Sequence, residues 1–307
     1  MEKLFIFGIG GLTGSKLATI GKEDYEIFGS YNIRNPKFNF SRSEKLNITN
    51  FEKVKSIILK IKPDIVINAS ALNSVDYCEN HQNEAKKINI DFVQELYKIS
   101  KSENFKLVQL STDSIFDGTK KNPYVENDKS NPMNVYGKTK LLGEKIILGN
   151  SQNLVVRASV LYGWIPKSLS SLDSSSMKPT NFGQWLINKL ELKETVNIIT
   201  DEESSPIIAD DFAKSIIYLI KNNKNGIFHS APPIQISRYE FSIKLAKILD
   251  LDSELIQPTT NLELGRNVVT GFNKCLDSSK MLKETNFQFL SLEKSLKILK
   301  NQFLENE

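Results

Sequence analysis

Short apolar runs alternate with longer segments of helical period through the first half of the chain. The runs are "LFIF" at 4–7, "YEIFGSY" at 25–31, "DIVINAS" at 64–70, "FKLVQLS" at 105–111 and "NLVVRAS" at 153–159. They lack the polar alternation of a half-exposed strand, which suits strands buried on both faces. Between them, "FEKVKSIILKIK" (51–62), "NEAKKINIDFVQELYKISKSE" (83–103) and "YGKTKLLGEKIIL" (136–148) repeat apolar residues every three or four positions, the period of a helix with one buried face. The alternation predicts βαβ units and an α/β fold, a parallel sheet with helices on both sides.

After residue 160 the rhythm weakens. "KSLSSLDSSSMK" (167–178) reads as a loop, "NFGQWLINKLELK" (181–193) as a helix and "VNIIT" (196–200) as a short strand. The helical "DDFAKSIIYLIK" (210–221) is expected to return to the sheet, and 226–307 to supply two or three further helices. The expected division is therefore a nucleotide-binding domain over 1–160, rejoined by 196–222, and a smaller, mostly helical C-terminal lobe over 161–195 and 223–307. There is no internal repeat.

The 307 residues suffice for a full core in one large domain or two interleaved lobes. With 40% hydrophobic and 25% charged residues the composition is that of a globular protein. No apolar run approaches the ~20 residues that span a bilayer, and the N-terminus lacks a secretory layout, so a cytoplasmic protein without membrane contact is expected. The net charge of +4 is modest and its lysines are dispersed, which argues against a nucleic-acid footprint. Cys78 and Cys275 have no partner spacing, and His81 and His229 are too far apart for a ligand motif, so neither a disulfide framework nor a metal site is expected.

Two segments carry candidate chemistry. "FIFGIGGLTGSKL" places Gly8, Gly11 and Gly14 at a strand-to-helix junction, with Leu12 at the helix start. Such a turn brings backbone N–H groups against a pyrophosphate at the positive end of a helix; a plain tight turn would use the same residues. After the second strand, "GSYNIRN" offers no carboxylate to a ribose diol but offers Arg34, which suits a 2′-phosphate and favours NADPH, with NADH as the alternative.

The second segment, "NVYGKTKLLGE", sets Tyr136 and Lys140 on one helix face. A nearby ammonium would lower the phenol pKa toward working pH, as proton transfer to a reacting oxygen requires. Tyr97 and Lys101 in "YKISK" share the spacing. Topology separates the pairs: Tyr136 opens a helix at the carboxyl edge of the strands, where Thr112 also sits, whereas Tyr97 ends a helix at the opposite edge. Ligands of open α/β sheets bind at the carboxyl edge.

The block "LSTDSIFDGTKKNPYVENDKSNPMNVYGKTKLLGEK" (110–145) resembles the catalytic block of extended short-chain dehydrogenase/reductases, most closely the dTDP-4-dehydrorhamnose reductase group. Supporting stretches, among them "GIGGLTG", "KPDIVINASALNSVDYCE" (62–79), "VVRASVLYG" (155–163) and "VNIITDEESSPIIADDFAKSI" (196–216), extend the resemblance over nearly the whole chain. It implies a Rossmann-type doubly wound parallel sheet with a smaller substrate lobe, and NADPH-dependent reduction of the C4 ketone of a deoxysugar nucleotide, first of all dTDP-4-dehydro-L-rhamnose.

By position, the resemblance implies that Thr112 hydrogen-bonds the substrate carbonyl, Tyr136 donates the proton, and Lys140 binds the nicotinamide ribose. It further implies cofactor contacts at Asn47, Ile48, Ala69, Ser70 and Ala71, and substrate contacts at Asn73, Val75, Asp113 and Val160. Two departures fall where the sugar would sit: Val160 replaces the family's aromatic, and Ser205 replaces a glycine. The same blocks resemble the regulatory β subunit of methionine adenosyltransferase, which implies a non-catalytic NADP-binding partner, and an epimerase/reductase of another 4-keto sugar nucleotide fits as well. A homodimer is compatible with each. Trp164 and Trp185 are expected in the core of the smaller lobe.

Overall fold

The computed structural model describes residues 1–165, 181–265 and 271–305. Seven strands form one fully parallel sheet. Six come from the first half of the chain: β1 (Lys3–Phe7), β2 (Glu26–Tyr31), β3 (Ser41–Lys45), β4 (Ile65–Asn68), β5 (Lys106–Thr112) and β6 (Leu154–Ala158). The seventh, Gly226–His229, comes much later and pairs with β6, giving the order β3-β2-β1-β4-β5-β6-seventh. This is the doubly wound arrangement of a Rossmann fold, in which the strand order reverses beside β1.

The continuous apolar runs follow from burial on both faces. In β1, Leu4 and Ile6 join the core on one side while Phe5 and Phe7 join the core on the other, the two-residue period of a strand. Helices α1 (Leu12–Gly21) and α8 (Ala209–Lys221) cover the first face. Helices α2 (Phe51–Ile61) and α5 (Phe92–Glu103) cover the second. Between α2 and α5 run two short helices, α3 (Val75–Asn80) and α4 (Gln82–Lys86), and a π-helical turn, Lys87–Asp91. Helix α6 (Val135–Ile147) links β5 to β6.

The smaller lobe has its own core, built on α7 (Phe182–Glu191), α9 (Arg238–Ile248) and α11 (Leu292–Leu304). Trp164 is buried there, edge-on to Phe303, and Trp185 packs partly buried on Phe182. Two boundaries differ from expectation. The strand Val196–Ile199 pairs with Ile256–Thr259 and buries Val196 and Ile198 in the smaller core, so the return to the sheet begins only at α8. Conversely, the chain past 222 still supplies a sheet strand, and Met281 of helix α10 (Ser279–Thr285) lies in the sheet's own core. The serine-rich segment 167–178 lies outside the described residues.

Candidate active site

The strands β1 and β4 end level, with Phe7 paired to Asn68, and β5, whose Gln109 pairs with Asn68, runs three residues further in the same direction to Thr112. The glycine turn, the Ala69–Ala71 segment and Thr112 therefore share one sheet edge.

At that edge the turn is held by space as much as by conformation. Gly8 has φ +81°, and a Cβ on it would meet Ser70 Oγ at 2.8 Å and the Ala69 carbonyl at 3.2 Å. A Cβ on Gly14 would lie 2.1 Å from the Gly8 carbonyl oxygen. The tightest position is Gly10, which the motif reading passed over: its Cβ would fall 1.9 Å from the Arg34 carbonyl oxygen. Gly11 N-caps α1 without a side chain, leaving the first N–H groups of the helix pointing outward. Arg34 thus lies against the glycine turn, as a contact near an adenosine ribose requires. Asn47 commits its side-chain oxygen to Thr49, at 3.0 Å from the N–H and 2.9 Å from the hydroxyl, while Ile48 packs on the sheet's core.

Helix α6 is fastened to the end of β5. Asn134 caps it by accepting from the Gly137 N–H at 2.8 Å, and Gly137 is compulsory because a Cβ there would sit 2.1 Å from the Ser114 carbonyl oxygen. This close approach brings the half-buried Tyr136 hydroxyl into hydrogen bonding with the Thr112 side chain. Burial pushes the phenol pKa upward, only partly offset by Thr112, so burial outweighs the lowering that a lysine four residues away suggested. Lys140 is itself buried and donates to the Leu110 carbonyl at 2.6 Å. Burial pushes its pKa down to about 8, against the opposing charge of Glu144. Tyr97 and Lys101 lie at the amino edge, Tyr97 packed on the sheet's core with the Lys101 ammonium 5.7 Å from its ring centroid.

Beside Thr112, Asp113 is buried and accepts from Thr112 Oγ1 at 3.0 Å, Ser114 Oγ at 3.2 Å and Ser159 Oγ at 2.9 Å. Ser159 also receives the Ser205 N–H at 3.2 Å, while the Ser205 hydroxyl donates to the Ile234 carbonyl at 2.6 Å. Val160, partly exposed, follows Ser159 at the same edge. Asn73 is exposed and Val75 half-buried at the start of α3, whose Leu72–Cys78 packing also touches Tyr136.

Residues that the sequence did not single out hold this assembly. Asn89, in the π-helical turn, bridges both backbone groups of Leu72 at 3.0 Å to Thr139 of α6 at 3.1 Å. Arg157 grips Glu144 of α6 through two bonds, 2.9 and 2.7 Å, and contacts His229 Nε2 at 3.2 Å. The arginine can only donate, so His229 accepts at Nε2 and donates from Nδ1 toward the carbonyls of Tyr124 and Asp277. Burial and Arg157 together push its pKa down to about 3. His81, by contrast, is exposed and stacks on Tyr77. Among the described residues no cluster of His, Cys, Asp or Glu could hold a metal ion, and no helix is long and apolar enough to cross a membrane.

A model of the RmlD substrate binding domain family matches residues 1–304. The chain belongs to this family. A curated relative, the probable low-salt glycan biosynthesis reductase Agl14 of Haloferax volcanii, is 28% identical over 97% of both chains. The methionine adenosyltransferase 2 subunit beta of Xenopus tropicalis is 28% identical over 92% of this chain and 82% of that one. Among solved structures, the dTDP-4-dehydrorhamnose reductase of Bacillus anthracis in complex with NADP superposes with a TM-score of 0.82 at 25% identity, covering 99% of this chain and all of the other. The RmlD family assignment thus spans the glycine turn, the Thr112 strand end and the Tyr136 helix together.

Proposed function

We propose that the chain is an NADPH-dependent reductase of the C4 ketone of a deoxysugar nucleotide, with dTDP-4-dehydro-L-rhamnose as its first substrate. The observation that carries this reading is the approach of the Tyr136 hydroxyl to the Thr112 side chain at the sheet edge shared with the glycine turn. The fit to a dinucleotide is structural: Gly8, Gly10 and Gly14 clear a cradle that any Cβ would fill, at the positive end of α1. The NADP-bound relative in the same family supports the choice of cofactor.

Bound there, a reduced nicotinamide supplies the hydride that the substrate carbon receives. The chain's own part is to hold the ketone oxygen between two hydroxyls. Thr112 donates a hydrogen bond to it, and Tyr136, neutral because burial raises its pKa, transfers its proton as negative charge develops. Lys140, anchored at Leu110, would hold the nicotinamide ribose and balance the phenolate that remains.

An NADPH-oxidation assay across a panel of dTDP- and UDP-4-keto sugars tests the reading. Turnover with a dTDP-linked 4-keto-6-deoxysugar is expected, and Tyr136→Phe should lower kcat by roughly 10²–10⁴-fold. Unchanged oxidation in Tyr136→Phe would refute the proton-donor role.

Val160 and Ser205 favour one second reading. Both alter the sugar side while leaving the cofactor side intact, as a subunit that binds the dinucleotide and serves as a partner would require, and a relative named as the beta subunit of methionine adenosyltransferase 2 shares 28% identity with this chain. No turnover on the whole panel, together with co-purification of a methionine adenosyltransferase, would select it. The chain is expected to work in the cytoplasm, and a homodimer is compatible with this reading.

A further inference from the structure

Thr112 has a single hydroxyl hydrogen and more than one claim on it. Its Oγ1 already accepts the Ser114 N–H at 3.2 Å and lies 3.0 Å from Asp113 Oδ1. An ionised carboxylate can only accept, and so can a ketone oxygen. With Asp113 charged, the hydrogen is spent on the carboxylate and Thr112 turns a lone pair toward the incoming ketone, which repels it. With Asp113 neutral, the carboxyl group donates instead. Thr112 then accepts twice, from Ser114 and Asp113, and keeps its own hydrogen for the position now filled by the Tyr136 oxygen.

Resting on the reductase reading above, we propose that Asp113 is a positioning residue that works in its neutral form, donating to Thr112 so that Thr112 can donate to the substrate's carbonyl oxygen. No atom is exchanged in this role; one proton stays on Asp113 and sets the direction of a short hydrogen-bond chain. The surroundings are built for it. Asp113 is 5% exposed, and burial is the largest influence on its pKa, raising it. Ser159 still has Oδ2 to donate to at 2.9 Å, and the Ser114 hydroxyl, 3.2 Å from Oδ1, can turn away, since the one carboxyl hydrogen goes to Thr112. Lys274, on the strand Asn273–Lys274 across the site, pulls toward ionisation. Its ammonium is held 2.9 Å from Glu202, however, and the charge of Glu202 favours the neutral acid. The other titratable neighbours, Tyr136 and Cys275, are pushed upward by their own burial and face Asp113 uncharged.

The arrangement makes an unusual demand on substitution. Asparagine reproduces the neutral acid, with an N–H₂ toward Thr112 and a carbonyl toward Ser159, whereas leucine removes the donor altogether. Asp113→Asn is therefore expected to keep kcat within about tenfold of the parent and to lose the alkaline fall in kcat/KM that belongs to Asp113. The separate fall from Lys140, whose pKa is about 8, should remain. Asp113→Leu and Thr112→Val should each lose on the order of 100-fold. Equal losses in the asparagine and leucine variants, or a pH profile unchanged in Asp113→Asn, would overturn the proposal.

A second measurement does not depend on turnover. The infrared carbonyl band of a protonated carboxyl group, recorded on the free protein near neutral pH, should be present in the parent and missing from Asp113→Asn, and so should stand in the difference between the two. Its absence from the parent overturns the neutral-acid role even if the sugar panel is reduced. Conversely, a band present without any sugar turnover leaves Asp113 neutral and places the fault with the reductase reading.

Discussion

At the scale of single residues, the site is set by where an atom cannot be. Gly10→Ala would drive a methyl group into the Arg34 carbonyl, 1.9 Å away, whereas Gly11→Ala meets only a 3.3 Å contact with Gly8. The misfit of the first is expected to cost about 1–3 kcal/mol of local distortion, about ten- to hundredfold in NADPH affinity. Titration of NADPH fluorescence should show that loss for Gly10→Ala and little change for Gly11→Ala. A spacing motif in the sequence ranks these two glycines the other way, because it counts intervals along the chain and Arg34 approaches from the loop after β2. Thr112, Tyr136 and Lys140 were legible for the opposite reason: their meeting follows from strand direction and helix phase. What the phase did not reveal is the depth of burial, which raises the Tyr136 pKa beyond what Thr112 offsets.

Among elements, α6 is the part on which chemistry depends, and its hold is electrostatic as well as apolar. The Arg157–Glu144 pair is only 3% and 1% exposed, so truncating one partner strands a buried charge. Glu144→Ala is expected to destabilise the fold by about 3–5 kcal/mol, measured as a shift of the urea midpoint. Glu144→Gln, which keeps the size of the side chain, should cost less. Helices and interior strands were readable from periodicity because each buries a face. The edge strand β3, "SRSEK", was not, since it pairs only with β2 and exposes most of its residues. The π-helical turn at Lys87–Asp91 was also hidden, because its purpose is to aim Asn89 at Leu72 and Thr139, contacts that no local pattern encodes.

For the molecule as a whole, the same buried network joins β6, the seventh strand, α6 and the Tyr124–Glu126 loop through His229. His229 titrates near 6.5 when free and near 3 in the fold. Between those values the unfolded chain binds more protons than the native one, so stability falls as pH drops through this window, by up to about 1.4 kcal/mol per pH unit from this group. Thermal melting at about pH 4.5 against about pH 7 should show a smaller loss in His229→Gln than in the parent. A loss of the same size in both would assign the acid sensitivity to other groups.

The lateness of the seventh strand also governs how the protein can be made. Residues Gly226–His229 seal the apolar edge of β6, and Met281, Phe287 and Phe289 close the same core still later. A nascent chain that has emerged as far as β6 carries an open row of backbone donors and acceptors beside Val155 and Val156, a template for pairing with a neighbouring chain. Translation must deliver about 70 more residues after β6 before the sheet is closed, and over that interval the open edge is the part of the nascent chain that most needs protection from its neighbours.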